Sequence, residues 1–565
     1  MKNIIYKFFF AALILFSVSA CEDALDKLPL DAPSDETFFS NETELKLALT
    51  GAYRDIYWRS GSLPYQALLD NATDLGFLRS DFSGMQAYSR GAHSSNTSGF
   101  AETWDKMYSG IGRANNLLTN MSKAEDVLSE DVYNRIQAEA LFLRAYYYSW
   151  LIQLYGDVPF VTQMSADIEA AKIPKTAKTE IAAALYNDLD QAAGILPASW
   201  PASERGHATK GTALGLKARV ALVTGDYTTA AAAAKLVMNL NTYTLHSDYA
   251  QLFTYAGENS NEILLSMPHL VGFVSTGIPR QQGPRNAAGY SQLVPSQFIV
   301  DSYECIDGLT IDESPLYDPS NPFANRDPRL DASIVRPQSV FATYVFETHP
   351  DSLNTTRIVG GVATRVANQD VRNTFATFTG YLWRKFSAPE DMPANVDTGS
   401  LDFILMRYAE ILMIYAEAKI EMNEIDQSVL DAINMIRARA YGVSLSETAA
   451  YPAVTTMDQA ELRTIIRRER KVELAQEGFR MSDIHRWNIA QYVMPGKLTG
   501  RPKGAYSKMT FKPQIDEHGH PHYTGAEALY RAVDTRQFQP NRDNLWAIPQ
   551  KDIDVNNNLI QNDNY

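Results

Sequence analysis

Two pairs of amphipathic segments, each joined by a short polar turn, constrain this chain more than any other feature. Thr209 to Val223 and Thr228 to Met238 flank Thr224-Gly225-Asp226-Tyr227. Leu405 to Met422 and Gln427 to Ala440 flank Asn423-Glu424-Ile425-Asp426. The small residues Ala230 to Ala234 allow close packing within the first pair. A helix, a tight polar turn and a second helix with alanines at the contact form a unit that buries its apolar face against the next such unit. Ala101 to Lys123 and Val132 to Tyr155 make a longer pair, stopped by Gly156-Asp157-Val158-Pro159. Ser40 to Tyr57 precedes them as a first helix, with Leu45, Leu49, Ala52, Tyr53 and Ile56 at helical spacing.

These units predict a mainly α fold: a TPR-like helical-repeat scaffold with a loop-rich, partly β insertion. The period is irregular, so a helical bundle without superhelical stacking is the alternative. A chain of 565 residues exceeds one simple core. The expected divisions are N-terminal helices over 36–261, an insertion over 262–400, C-terminal helices over 401–490 and a loop-rich end over 491–565. In the insertion, short alternating runs such as Ile263 to Met267 and Thr343 to Phe346 stand among many Gly, Pro, Asn and Asp residues. A long irregular segment between helical repeats is more often functional than idle.

The N-terminus reads as an export signal over residues 1–20. Lys2 and Lys7 precede an apolar run from Phe8 to Phe16, then the small residues Val18-Ser19-Ala20, then Cys21. The run is shorter than the roughly 20 residues a membrane span needs. The segment resembles a bacterial lipobox, which would place a lipid on Cys21; an ordinary secretory signal is the alternative. Glu22 and Asp23 resemble the surface-export signal of Bacteroidota lipoproteins, and a polar tether runs over residues 21–35.

A net charge of -15 argues against non-specific nucleic-acid binding, which needs clustered Lys and Arg. With Cys21 assigned to a lipid, Cys305 has no partner for an intramolecular disulfide, so packing must supply the stability. HExxH, GxSxG, Walker A and CxxC patterns are all absent from the sequence, and no catalytic residue or cofactor is expected. Gly110-Ile111-Gly112 is a fragment inside a helical run. His518-Gly519-His520-Pro521-His522 reads as a loop tip and not as a metal site, because no fixed supporting shell is visible. Glu410 and Glu417 share one face of an apolar helix and are expected to pair with arginines such as Arg407 or Arg470, since an unpaired buried charge is costly. Arg470 is within reach of Glu473 at helical spacing three.

Ordered motifs through nearly the whole chain resemble the SusD/RagB family. They are Trp104-Asp105-Lys106-Met107-Tyr108 with Arg113-Ala114-Asn115, Glu139 to Tyr147 leading to Tyr155-Gly156-Asp157-Val158-Pro159, and Leu405 to Glu410 with Ala416-Glu417-Ala418. Arg467 to Arg470, Glu477 to Arg480, Asp483 to Trp487, Leu545 to Pro549 and the terminal Gln561, Asn562 and Tyr565 complete the set. The resemblance implies an α-helical fold of four TPR-like units, bearing a ligand face and sitting as a lid on a SusC-like TonB-dependent transporter in the outer membrane. It implies a non-catalytic binder.

Sugar capture needs aromatic platforms ringed by groups that bond hydroxyls. In the family this surface draws on the loop before the Trp104 helix and on the central insertion. The candidates are therefore Asp70, Asn71, Arg79 and Tyr88 from the first, and Tyr290, Arg372, Tyr381 and Trp383 from the second. Trp58 is a further candidate, whereas Trp104 and Trp487 read as core. The leading expectation is a cell-surface lipoprotein that captures a glycan for its transporter. The same lid role for peptides or another non-sugar nutrient, or a TPR adaptor without a small ligand, are the alternatives.

Overall fold

The computed structural model describes residues 38–164 and 167–565. The expected signal, the Cys21 lipidation site and the tether lie outside the described residues. Helices α1 (Glu42–Tyr53), α2 (Ser98–Asn120), α3 (Glu130–Tyr155), α4 (Lys178–Ile195), α5 (Lys210–Thr224) and α6 (Tyr227–Asn239) occupy the first half. Helices α7 (Tyr408–Glu421), α8 (Gln427–Ala440) and α9 (Gln459–Glu473) follow the insertion. From α2 to α8 each helix packs on the next, so the stack is continuous. The contact of α6 with α7 joins helices that the insertion separates in sequence.

Local chemistry starts these helices where the sequence places them. Thr209 and Thr212 form a capping box at α5, while Asp226 and Asp426 accept backbone N–H groups at α6 and α8. Ala230, Ala231, Ala233 and Ala234 are all buried, which lets α6 lie close to its neighbours. Helix α4 is not among the expected helices, although Ile181, Leu185, Leu189 and Ala192 form its buried stripe. A Cβ on Gly110 would enter the Tyr147 ring, so this glycine sets the approach of α2 to α3 and has no cofactor role.

The insertion leaves and rejoins the stack at one place. Strand β2 (Ile263–Met267) pairs antiparallel with β6 (Phe403–Arg407), Phe403 opposite Met267 and Arg407 opposite Ile263. In a separate two-stranded sheet β1 (Gly76–Leu78) pairs with β3 (Leu293–Pro295), tying the N-terminal half to the insertion. A hairpin of β4 (Asn354–Val359) and β5 (Val362–Ala367) extends from the insertion with mostly exposed side chains.

A buried charge network locks the insertion to the stack. Arg407 bonds Glu262 at 2.8 Å, Glu473 at 2.7 Å and Glu477 at 2.6 Å. Glu473 also accepts from Arg439 and Arg329, and Lys385 reaches Glu477 at 2.6 Å. Burial opposes ionisation of Glu473, yet the Arg439, Arg407 and Arg329 guanidinium groups hold its carboxyl well below the usual range. The expected pairing of Glu417 with Arg470 is present, and two other expected pairings are corrected. Glu410 pairs with Arg219 at 2.7 Å, because Arg407 is committed to the hub. Arg470 turns to Asp483 at 3.0 Å and to Glu417 at 3.4 Å, not to Glu473.

Candidate functional site

Strands β1 and β3 set the geometry of one loop-built face. Their ladder continues as Arg79 N–H donates to the Gln292 carbonyl at 2.9 Å, which brings Arg79 beside the 280–292 loop. That loop folds back on itself: Tyr290 N–H donates to Arg280 O at 2.6 Å and Gln292 N–H to Gln281 O at 2.7 Å. A Cβ on Gly289 would collide with the Gly283 backbone, so only glycine permits this crossing. Ala288 and Ser291, either side of the Gly289-Tyr290 crossing, hold φ of 64° and 48°, conformations that non-glycine residues adopt at a cost.

Three rings stand on this face. Tyr290 and Phe378 are each 39% exposed and Phe375 is 59% exposed. Phe378 stacks on buried Phe77 of β1 at 5.8 Å and 24°, which fixes the ring from beneath. Arg79 lies 5.3 Å from the Phe375 ring centre, and Arg280 and Arg285 lie 4.9 Å and 5.4 Å from that of Tyr290. Arg79 Nη1 donates to the carbonyls of Tyr290, at 2.8 Å, and Phe375. Arg285 Nε donates to Phe375 O at 2.9 Å. One guanidinium therefore bridges the two loops that carry the rings, and a second reinforces the Phe375 loop.

The carboxylates around the face are occupied. Asp370 accepts the backbone N–H groups of Arg285 at 2.7 Å and Asn286 at 3.3 Å. Burial pushes its pKa up to about 6, the two N–H bonds offsetting part of the shift. Asp397 takes both prongs of Arg280. Burial, then the nearby Arg285 charge, lowers the Arg79 guanidinium to about 10.

Of the residues expected at a binding site, Arg79, Tyr290 and Arg372 flank or form this face, Arg372 closing the short helix Gln369–Arg372 just before Phe375. The other five are a correction, since they are buried behind it. Asp70 accepts Gly478 N–H at 3.0 Å and Arg480 N–H at 2.9 Å, and burial raises its pKa to about 7. Asn71 accepts the Trp383 Nε1–H at 2.9 Å and donates to Gln476 at 2.8 Å. Tyr88 bonds His485 at 2.9 Å, and Tyr381 donates to Gln297 at 2.7 Å. A Tyr or Trp whose polar handle is satisfied internally is core volume, not a platform. Trp58 is likewise buried, stacked on Tyr65 at 4.9 Å, and the expected core residues Trp104 and Trp487 are buried as well.

Phe375, Phe378, Arg280 and Arg285 are the residues that sequence reasoning missed. Their signal was an absence of periodicity: Asn373-Thr374-Phe375-Ala376-Thr377-Phe378 sets rings among polar residues, with no apolar stripe to bury them. A second surface, a groove of about 600 Å³, lies between Tyr53, Ile56 and Tyr57 on one side and His207, Pro268 and Val274 on the other.

The fold and this face define a class of helical-repeat scaffolds that present a loop-built aromatic surface. A family model described as the SusD family matches residues 246–565, more than half of the chain, and a second, described as starch-binding associating with outer membrane, matches residues 23–222. The chain belongs to the SusD family, as its ordered motifs indicated. It is 25% identical to SusD-like protein P2 of Formosa agariphila, with 99% of both chains covered. A crystal structure of a SusD-like carbohydrate-binding protein from Bacteroides fragilis matches with TM-score 0.79 at 28% identity, covering 93% of this chain and 100% of that one. Surface glycan-binding protein A from Bacteroides thetaiotaomicron, solved with laminarihexaose, shares the fold with TM-score 0.65 at 18% identity over 92% of this chain and 99% of that one.

Proposed function

We propose that this protein is a non-catalytic glycan binder, held at the outer face of the outer membrane through a lipid on Cys21. It captures oligosaccharide on the Tyr290, Phe375 and Phe378 face and passes it to a SusC-like TonB-dependent transporter. The observation that carries this reading is the set of three exposed rings on loops braced by Arg79 and Arg285. Exposed rings cost solvation unless a ligand covers them, and the apolar faces of sugars suit them. The carbohydrate-binding and laminarihexaose-bound relatives support a sugar, and the starch-binding, outer-membrane description of residues 23–222 supports the location. An adaptor without a small ligand is expected instead to present a flat insertion surface with no such aromatic cluster.

Affinity gel electrophoresis against a broad polysaccharide panel tests the proposal. The wild-type chain is expected to be retarded by at least one polysaccharide, and Tyr290→Ala with Phe375→Ala to abolish the retardation while the melting temperature holds. Retardation by none of the panel, together with capture of peptides, would move the proposal to the peptide-lid alternative.

A further inference from the structure

The face is rich in donors and positive charge and poor in acceptors. Arg79 and Arg285 spend hydrogen bonds on the Tyr290 and Phe375 carbonyls, and Arg372 Nε donates to Leu353 O at 2.7 Å. Among the described residues none of these three guanidinium groups forms an ion pair; of the arginines around the rings only Arg280 does, with Asp397. Arginines elsewhere in the molecule behave differently, as the Arg407, Arg439 and Arg329 contacts with Glu473 show. The nearby Asp370 and Asp397 carboxylates are engaged through both oxygens, and Asp81 through one. Both Asp370 oxygens hold backbone N–H groups, both Asp397 oxygens hold Arg280, and Asp81 accepts Gln86 N–H at 2.9 Å.

A neutral sugar hydroxyl is donor and acceptor at once and is best met by mixed partners, whereas a carboxylate or sulfate only accepts. Guanidinium groups meet such anions with charge-assisted, often bidentate, bonds. The Arg79 and Arg285 guanidinium groups lie close enough to repel one another, and an arriving anion relieves that repulsion. We propose that the face takes an anionic glycan, with sugar rings on Tyr290, Phe375 and Phe378 and carboxylate or sulfate groups on Arg79, Arg285 and Arg372. This rests on the glycan-capture reading and names its substrate class.

Isothermal titration of the full chain with two matched pairs tests the idea: polygalacturonate against its carboxyl-reduced form, and dextran sulfate against dextran, with laminarin as a further neutral probe. At least one charged polymer is expected to bind tenfold or more tighter than its neutral partner, and which pair responds tells carboxylate from sulfate. Raising the salt should shrink the preference. Arg285→Gln with Arg372→Gln should remove it, while a Phe375→Ala control weakens charged and neutral polymers alike. Neutral polymers binding as tightly as charged ones, or a charge preference untouched by the arginine substitutions, overturns the inference and leaves glycan capture standing. Binding by none of the five polymers overturns both.

Discussion

Arginine meets two fates in this molecule. In the hub, Arg407, Arg439 and Arg329 surround Glu473 and are all but fully buried, so each charge ends on a carboxylate. On the loop face, Arg79, Arg285 and Arg372 end on carbonyls and keep their charge. The hub ties insertion to scaffold, and the face is left with interactions for something else to complete. The same side chain thus marks a structural lock in one place and a candidate site in the other, and only the partner tells them apart.

Substitutions in the two regions should separate cleanly. Glu473→Gln removes the carboxylate that Arg407, Arg439 and Arg329 share, leaving them Glu262, Glu477, Asp327 and Glu469, and a loss of about 3 kcal/mol is expected in denaturant unfolding. A loss below about 1 kcal/mol would mean the hub is not a lock. Trp383→Ala deletes a fully buried ring and strands Asn71, for a comparable loss of about 3–5 kcal/mol, and any loss of ligand binding should track unfolding. Phe375→Ala should reverse that pattern, with stability within about 0.5 kcal/mol of wild type and ligand affinity down by about 1 kcal/mol or more.

Acidity probes the same contrast more gently. Glu473, Glu477 and Asp483 have folded pKa values held below their unfolded ones by neighbouring arginines, against the opposing effect of burial. Their stabilisation is complete above roughly pH 4.3, the unfolded glutamate value, and is lost as pH falls below it. Asp370, with burial raising it to about 6 and only backbone N–H groups in compensation, acts in the other sense: its contribution is present at low pH and lost as pH rises through 6. Thermal melts across pH should show the steep acid loss in wild type, and Asp370→Asn should reduce the decline between about pH 4 and 6 to the part that Asp70, raised to about 7, contributes. An unchanged decline would show that Asp370 is not its source.

Much of the scaffold was legible because period and punctuation agreed. Gln427–Ala440 and Ile263–Met267 fall where the sequence placed them, since Asp426 caps the first and alternation marks the second. The face was legible only in part. Arg79 and Tyr290 lie in the two segments that the family resemblance singles out, but Asp70, Asn71, Tyr88, Tyr381 and Trp383 of the same segments look equally functional in a sequence and are buried. Composition cannot tell a ring that stacks on ligand from one that fills a core. The difference lies in which loop β1 and β3 bring together, a contact more than 200 residues apart in sequence.

A crystal structure of the chain with a bound oligosaccharide tests the central claim most directly. Sugar rings are expected to stack on Tyr290 or Phe375, with polar groups on Arg79 or Arg285. A sugar seated instead in the Tyr57–His207 groove, with the Tyr290 face bare, would contradict it.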